Sequence, residues 1–320
     1  MQKTKVSVIV PMYNVEKYLS QCLGSLKCQT MTDIEFICIN DGSTDKTLEI
    51  AENFSVQDSR FRIVSKANEG YGASINIGLE LAKGDYIGIV ESDDFVKANM
   101  FNALYKTAIE SDCEIVKSNF YSYSQKGGLV FEEPLYQMQC NKIFSLEDQP
   151  QLLDVNPCIW TALYNAKFLK RNRISFNETP GASYQDISFS LLAYYKAHKM
   201  LCIKDAWYCY RTDNENSSIN SLGKVFCVMD EFHRFEDYIH NDKRIRKLLE
   251  PVKFRHYLGN LQRINSVYKY AFFNEMLKDF FINIEYFDED YWPVERLVEI
   301  KKIYENPDLY FDKLIFNGAK

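Results

Sequence analysis

The chain has no basic excess. Its 320 residues carry 38 Lys and Arg against 44 Asp and Glu, a formal charge of −6 and a pI near 5.4. A dedicated nucleic-acid binder needs a concentrated positive surface, so no nucleic-acid partner is expected. There is no Cys-x-x-Cys pair. The nine cysteines are odd in number, and His198, His233, His240 and His256 show no ligand spacing with them, which argues against zinc. Several, such as Cys38 and Cys202, sit in apolar runs and read as reduced, buried small hydrophobes of a cytosolic protein. No uncharged apolar run approaches the ~20 residues that span a bilayer. Met1-Gln2-Lys3-Thr4-Lys5 leads straight into a strand pattern, without the h-region of a signal peptide. The expectation is a cytoplasmic protein, soluble or at most peripheral to the inner face of the plasma membrane. No internal repeat or low-complexity linker divides the chain. With 46% hydrophobic residues it should fold, as one large domain or two smaller ones.

What is present is an alternation of strand and helix patterns. Strands are expected at 6–10, 34–39, 61–64, 85–90 and 114–123, and helices at 15–29, 45–54, 71–82 and 98–111. That order implies a mostly parallel sheet covered on both faces. The middle, 124–220, is less regular. It holds a hairpin turn at Lys126-Gly127-Gly128, an aromatic stretch at 160–164 and a Pro180-Gly181 loop before a helix at 186–197. One or two short strands at 200–210 and a polar loop at 211–221 follow. Beyond about 221 the spacing is helical, and dense in Phe and Tyr that read as helical core. The expected organisation is therefore 1–220 as an α/β domain, with 1–123 and 124–220 as its two parts, and 221–320 as a helical C-terminal region.

Three strands deliver polar groups to one edge of that sheet. The first ends in Pro11-Met12-Tyr13-Asn14, the second in Asn40-Asp41-Gly42-Ser43-Thr44-Asp45, and the fourth in Val90-Glu91-Ser92-Asp93-Asp94. Ligands of open α/β sheets bind outside the carboxyl ends of the strands. Three carboxylates within four residues repel one another, and a divalent cation relieves that. Hard oxygen ligands suit Mg2+ or Mn2+, which commonly share their coordination with phosphate oxygens. An acidic turn that caps the next helix is the competing reading of the same residues.

These motifs, with Asn68-Glu69-Gly70-Tyr71-Gly72-Ala73-Ser74-Ile75-Asn76-Ile77-Gly78 between the second and the last, occur in an order that resembles glycosyltransferase family 2. The resemblance is strong over the first hundred residues and continues less sharply to about 220. It implies a GT-A fold, which is Rossmann-like, and transfer of a sugar from a nucleotide-sugar, a UDP-sugar by preference. Glu91-Ser92-Asp93-Asp94 aligns with the family's Asp-x-Asp motif, so the resemblance gives Glu91, Asp93 and Asp94 to the metal, and Ser92 and Asp93 to the donor. Glu91 stands where Asp is more usual. Asp41 matches the carboxylate that accepts from the uracil imide, and Pro11, Tyr13 and Asn14 match the loop lining base and ribose. Asn68 and Gly70 belong to the donor site, where Gly70 and Gly72 remove side-chain bulk and the next helix can face the nucleotide.

Transfer also needs a base for the acceptor hydroxyl. In Thr179-Pro180-Gly181-Ala182-Ser183-Tyr184-Gln185-Asp186, where related inverting enzymes carry paired carboxylates, only Asp186 can match. A helix N-cap is its bland alternative. Trp160 is expected to line the acceptor pocket, or to be a plain core residue, and Arg211 to approach the diphosphate, or to be an exposed Arg without function. The Gln-x-x-Arg-Trp motif of processive synthases is missing, which points to addition of a single sugar. Acceptors implied by the family are bacterial surface glycans, either capsule, lipopolysaccharide or another lipid-linked oligosaccharide.

Two other classes compete. A nucleotidyltransferase would carry a Gly-rich basic loop where this chain has Pro11-Met12-Tyr13-Asn14-Val15-Glu16. A degenerate module that binds nucleotide or glycan without catalysis draws on Glu91 and Gln185. The region after 220 holds Lys243-Arg244-Ile245-Arg246-Lys247 and Lys253-Phe254-Arg255 with Leu248 and Leu249 interleaved. That is either a basic helix for peripheral contact with an anionic membrane, a charged packed face, or a subunit interface of a homo-oligomer.

Overall fold

In a computed structural model, residues 3–215, 224–240 and 242–317 are described, with side chains to 314. The chain forms two compact units, Met1–Glu215 and Asn216–Lys320. The first is built on one mixed sheet. β1 (Val6–Met12), β2 (Ile34–Asp41), β3 (Phe61–Lys66) and β4 (Tyr86–Ile89) alternate with α1 (Glu16–Lys27), α2 (Thr47–Gln57) and α3 (Tyr71–Leu81). β5 (Phe95–Val96), α4 (Met100–Glu110), β6 (Ile115–Ser124), β7 (Gly128–Glu132), β8 (Ile143–Phe144), β9 (Ala162–Asn165), α5 (Ala166–Arg171), α6 (Gln185–Lys196) and β10 (Met200–Arg211) complete it. The sheet order is β3-β2-β1-β4-β9-β6-β10-β5, with β7 on β6 and β8 on β10.

β3, β2, β1 and β4 are mutually parallel, as are β6 and β10. β9 runs antiparallel to both β4 and β6, so those two halves share one direction. The sheet is thus mostly parallel, as the alternating pattern implies. β1 is buried at every position, which is why its sequence is a nearly continuous apolar run. Residues 200–211 form a single strand with irregular register between Ile203 and Tyr208, where two short strands were an alternative expectation. The short antiparallel β5, β8 and β9 carry no periodicity of their own.

The sheet opens where the site lies. Ile9 accepts from the Val90 N–H at 3.0 Å, and the β1–β4 register ends at Ile9 and Ile89. Two residues on, Pro11 turns the same side, without an N–H to offer, toward the gap left by β4. A proline is tolerated in this central strand because no ladder bond is lost there. β1 and β4 diverge at this point, which is the crevice where the strand order reverses.

The second unit is helical: α7 (Cys227–Ile239), α8 (Lys243–Arg263), α9 (Ser266–Ile282), α10 (Val294–Glu305) and α11 (Pro307–Asn317). Phe232, Phe235, Leu249, Phe254, Tyr257, Leu261, Phe272 and Phe280 form its core. Much of the basic cluster of α8 is engaged by carboxylates of the same unit. Lys253 is fully buried, 2.7 Å from Glu236, 3.0 Å from Asp279 and 3.4 Å from Glu250. Arg246 pairs with Glu236 and Lys247 with Asp288. Leu249 and Phe254 point into the core. The cations sit among apolar positions because they neutralise buried carboxylates, which are costly unless paired. Those pairings favour the packed charged face for Arg246, Lys247 and Lys253, while Lys243 and Arg244 stay exposed. Among the described residues no helix is long and apolar enough to cross a membrane.

Candidate active site

The acidic turn follows β4 directly. Asp94 closes it through its N–H to the Glu91 carbonyl at 3.1 Å. The Asp94 side chain is buried, and both of its oxygens are engaged by β10. Oδ2 accepts from the Tyr208 hydroxyl at 2.7 Å and Oδ1 from the Arg211 N–H at 2.6 Å. The same Tyr208 oxygen accepts from the Glu91 N–H at 3.0 Å. Asp94 is therefore built into the turn, where a metal ligand was expected. Asp93 is more open, and one of its oxygens accepts from the Asn214 amide at 2.7 Å. Ser92 is buried.

Arg211 also departs from expectation. It is the last residue of β10, only 3% exposed. Its Nε donates to the Asp93 carbonyl at 2.8 Å, and its other nitrogens reach Asp213 and Gln21. The guanidinium lies over the rings of Tyr18 and Tyr123. Each of its nitrogens donates to protein, so it braces the acidic turn. Trp160 is 9% exposed, stacked on Tyr208 at 4.3 Å and on Tyr210 at 5.4 Å. It backs the same strand and shows only a narrow edge.

The third wall is the segment before α6. Gln185 stitches it, accepting from the Ser183 N–H and donating to the Thr179 hydroxyl at 2.8 Å and the Gly181 carbonyl at 3.2 Å. Asp186 sits in the first turn of α6. Gly70 has φ +97°, and a Cβ there would lie 2.8 Å from the Gly181 nitrogen. A Cβ on Gly72 would lie 1.9 Å from the Asn177 carbonyl oxygen. The bulk missing at Gly70 and Gly72 thus admits residues 177–181, where room for a ligand was expected. The Tyr71 N–H to the Gly181 carbonyl, at 3.0 Å, closes the contact. These glycines bring the Asp186 segment against the start of α3.

Asp41 pins the loop on the other side. It accepts from the Lys66 ammonium and the Glu69 N–H on one oxygen and from the Gly70 N–H at 2.9 Å on the other. Asn68 is exposed beside it. Pro11 is buried, while Tyr13 is 53% exposed at the sheet edge. Asn14, at φ 47°, accepts from the Thr44 N–H at 2.8 Å and donates its own N–H to Ser43 Oγ, which ties the first strand's turn to the second's.

The electrostatics single out three groups. Burial pushes Glu91 up to about 8, with Asp93 and Asp186 adding repulsion against a hydrogen bond from Tyr71. Asp94 is raised well above the usual range by burial and by Asp93. Asp186 is pushed up to about 6 by burial, opposed by backbone N–H groups and by the charge of Lys117. Glu91 thus feels both Asp93 and Asp186, and the three gather carboxyl groups at the mouth of the crevice. A hard divalent cation fits such a donor set if phosphate oxygens supply the remaining ligands. The set of three closely grouped metal-type ligands found among the described residues lies elsewhere, at His233, Glu236 and Asp279. There the Lys253 ammonium already balances the two carboxylates.

Sequence reasoning missed Tyr71, Tyr208 and Lys117. Lys117 is 2% exposed on β6 and donates to the carbonyls of Pro157 and Cys158 at 2.7 and 2.8 Å. Each lies within an apolar pattern that conceals a polar tip.

Residues 7–171, which build this sheet edge, match the model of glycosyl transferase family 2. The chain belongs to that family. A Bacillus subtilis relative, the glycosyltransferase EpsJ, is 34% identical over 218 residues, which is 66% of this chain and 62% of its own length. The Streptococcus pneumoniae glycosyltransferase GlyG is 34% identical over 216 residues, 64% of this chain and 70% of the relative. The poly(ribitol-phosphate) beta-glucosyltransferase of Bacillus spizizenii is 30% identical across 67% of this chain but only 34% of its own length. Among solved structures, residues 1–349 of Staphylococcus aureus TarS in complex with UDP-GlcNAc superpose with a TM-score of 0.67 at 22% identity. That match covers 84% of this chain and 79% of TarS 1–349. It shows the family 2 chain to have the GT-A fold.

Proposed function

We propose that the chain is an inverting glycosyltransferase that moves one sugar from a UDP-sugar to a hydroxyl of a glycan or lipid-linked acceptor. The setting would be bacterial surface-polysaccharide synthesis, on the cytoplasmic side of the membrane. The observation that carries this reading is the meeting of Asp186 with the acidic turn. The two lie about a hundred residues apart in sequence, yet Asp186 contributes to the charge environment of Glu91. The donor's diphosphate belongs beside Asp93, and the base beside the sugar's far face.

Asp186 is ordinarily a weak base, and its rise to about 6 makes it a better one while leaving it mostly ionised at pH 7. It can take the proton of an acceptor hydroxyl as that oxygen attacks the anomeric carbon. A single displacement with one base inverts that centre. Asp41 would accept from the uracil imide with the lone pair left on the oxygen bound to Gly70. Tyr13 and Asn14 would line base and ribose. Mn2+ or Mg2+ bound at Asp93, with Glu91 nearby, would neutralise the departing diphosphate.

The relatives named above and the UDP and UDP-GlcNAc complexes of TarS support a nucleotide-sugar donor. The test is a panel of UDP-, GDP- and dTDP-sugars, scored for hydrolysis and for thermal stabilisation with and without Mn2+. UDP-sugars should stabilise most, and only with the ion at full effect. Equal response to all three nucleotides would sink the donor assignment.

A further inference from the structure

Tyr71 is partly buried in the first turn of α3, and its hydroxyl donates to Glu91 Oε1 at 2.6 Å. Its ring meets Phe176 edge-on at 5.9 Å, and its backbone N–H holds the Gly181 carbonyl at 3.0 Å. One residue therefore touches both walls of the crevice. Its side chain reaches the acidic turn, and its backbone and ring reach the segment that carries Asp186. Asp186 and Tyr164 also lie within electrostatic reach of its phenol. The position is fixed from three sides. Gly70 and Gly72 allow residues 177–181 to close on the start of the helix beside it.

Glu91 is one methylene longer than an aspartate, and a free glutamate would sample several rotamers. The bond to Tyr71 removes that freedom. The Glu91 N–H is held separately by Tyr208. Backbone and carboxylate are thus tied to two different elements, β10 and α3.

We propose that Tyr71 is a positioning residue of this site. Its hydroxyl fixes the Glu91 carboxylate between the acidic turn and Asp186, and that carboxylate sets where the donor's sugar ring sits relative to the base. The inference rests on the glycosyltransferase reading above, but it concerns the sugar ring and not the nucleotide. On that reading UDP alone would not fill the space between Glu91 and Asp186, so UDP binding should be indifferent to Tyr71. A UDP-sugar should not.

The experiment compares the full chain with Tyr71→Phe, Glu91→Gln and the double variant. UDP-glucose, UDP-galactose and UDP-N-acetylglucosamine serve as donor probes with Mg2+. Calorimetry gives the affinity for UDP and for each UDP-sugar, kinetics give kcat and donor KM, and a melting curve checks folding. Tyr71→Phe keeps the ring and its contact with Phe176. It should leave UDP affinity unchanged, lower the melting temperature by no more than the few degrees of one lost hydrogen bond, and lower kcat by about tenfold or more, as expected for losing a bond to a charged group at a reacting centre. The double variant should be no worse than the poorer single one, because one change deletes the donor of the Tyr71–Glu91 bond and the other the charge of its acceptor. A wild-type kcat in Tyr71→Phe overturns the proposal. So does a fall in UDP affinity and melting temperature in step with kcat, since that marks a packing residue.

If the wild type transfers no sugar, the enzymatic reading fails separately. The proposal is then judged on binding: the ratio of UDP-sugar to UDP affinity must drop in both single variants, and an unchanged ratio refutes it. If instead Asp186→Asn transfers at full speed, the base assignment fails while the coupling between Tyr71 and Glu91 can still hold.

Discussion

Replacing Tyr208 by Phe should unlatch the acidic turn without touching its carboxylates. The hydroxyl sits in the middle of a chain that runs from the Glu91 N–H through Tyr208 to Asp94, with distances of 3.0 and 2.7 Å. Phe keeps the ring stacked on Trp160 and deletes one oxygen. A hydrogen bond to a carboxylate contributes about 1.5–3 kcal/mol, and a buried N–H left without a partner costs about 1–3 kcal/mol. Taking the lower end of both, less some relaxation of the turn, the loss is about 2 kcal/mol. In a domain of this size each kcal/mol moves the melting temperature by about 2–4 °C, so the expected fall is about 4–8 °C. The assay is a melting curve of the transition that UDP raises, for the wild type, Tyr208→Phe and Tyr210→Phe. Tyr210 stacks on Trp160 in the same way but lies outside the chain from Glu91 to Asp94. Its variant should melt close to the wild type. A fall of less than about 2 °C for Tyr208→Phe, or equal falls for both, would show that the latch contributes nothing and that Asp94 is held by other means.

The metal-free protein should lose stability as pH rises. The folded state raises the Glu91 carboxyl from 4.5 to about 8, so its contribution is fully present below about 4.5 and is lost as pH climbs through about 8. The melting temperature should therefore fall between pH 6 and 8.5, Mg2+ should reduce that fall, and Glu91→Gln should flatten it; a flat wild-type profile would refute the assignment. Asp93→Ala should weaken UDP binding mainly when Mg2+ or Mn2+ is present, whereas Asp41→Ala should weaken it in either condition, because its bonds to Glu69 and Gly70 shape the loop beside the base. Calorimetry in EDTA and in Mg2+ separates the two, and the same metal dependence for both variants would contradict the division of roles.

The sheet was legible because parallel strands buried on both faces leave long apolar runs, as at Val8, Ile9 and Val10. The polar strand ends stood out against those runs, which is why Asp41, Glu91, Asp93 and Asp94 could be named as one edge. What the sequence could not convey was which polar groups face ligand and which face protein. Asp93 and Asp94 are neighbours with the same chemistry, and they differ because β10 arrives from over a hundred residues away to occupy one of them. Arg211 was misread for the same reason: a polar stretch suggests exposure, while the residue is the inward end of a strand. The glycines of α3 were recognised as sites of close approach, but only the fold shows that residues 177–181 are what approaches. In the helical unit, Arg246 and Lys253 looked like surface because their carboxylate partners, Glu236 and Asp279, lie on other helices.

The claim that Asp186 is the base of an inverting transfer is tested most directly by following the anomeric proton during turnover of an accepted UDP-sugar by NMR, in the wild type and in Asp186→Asn. The account expects an α-linked donor to give a β-linked product in the wild type. It expects Asp186→Asn to bind UDP normally while transferring about a hundredfold more slowly or less, the scale for loss of a general base. A product that retains the donor's configuration, or an Asp186→Asn enzyme that transfers at the wild-type rate, would contradict it.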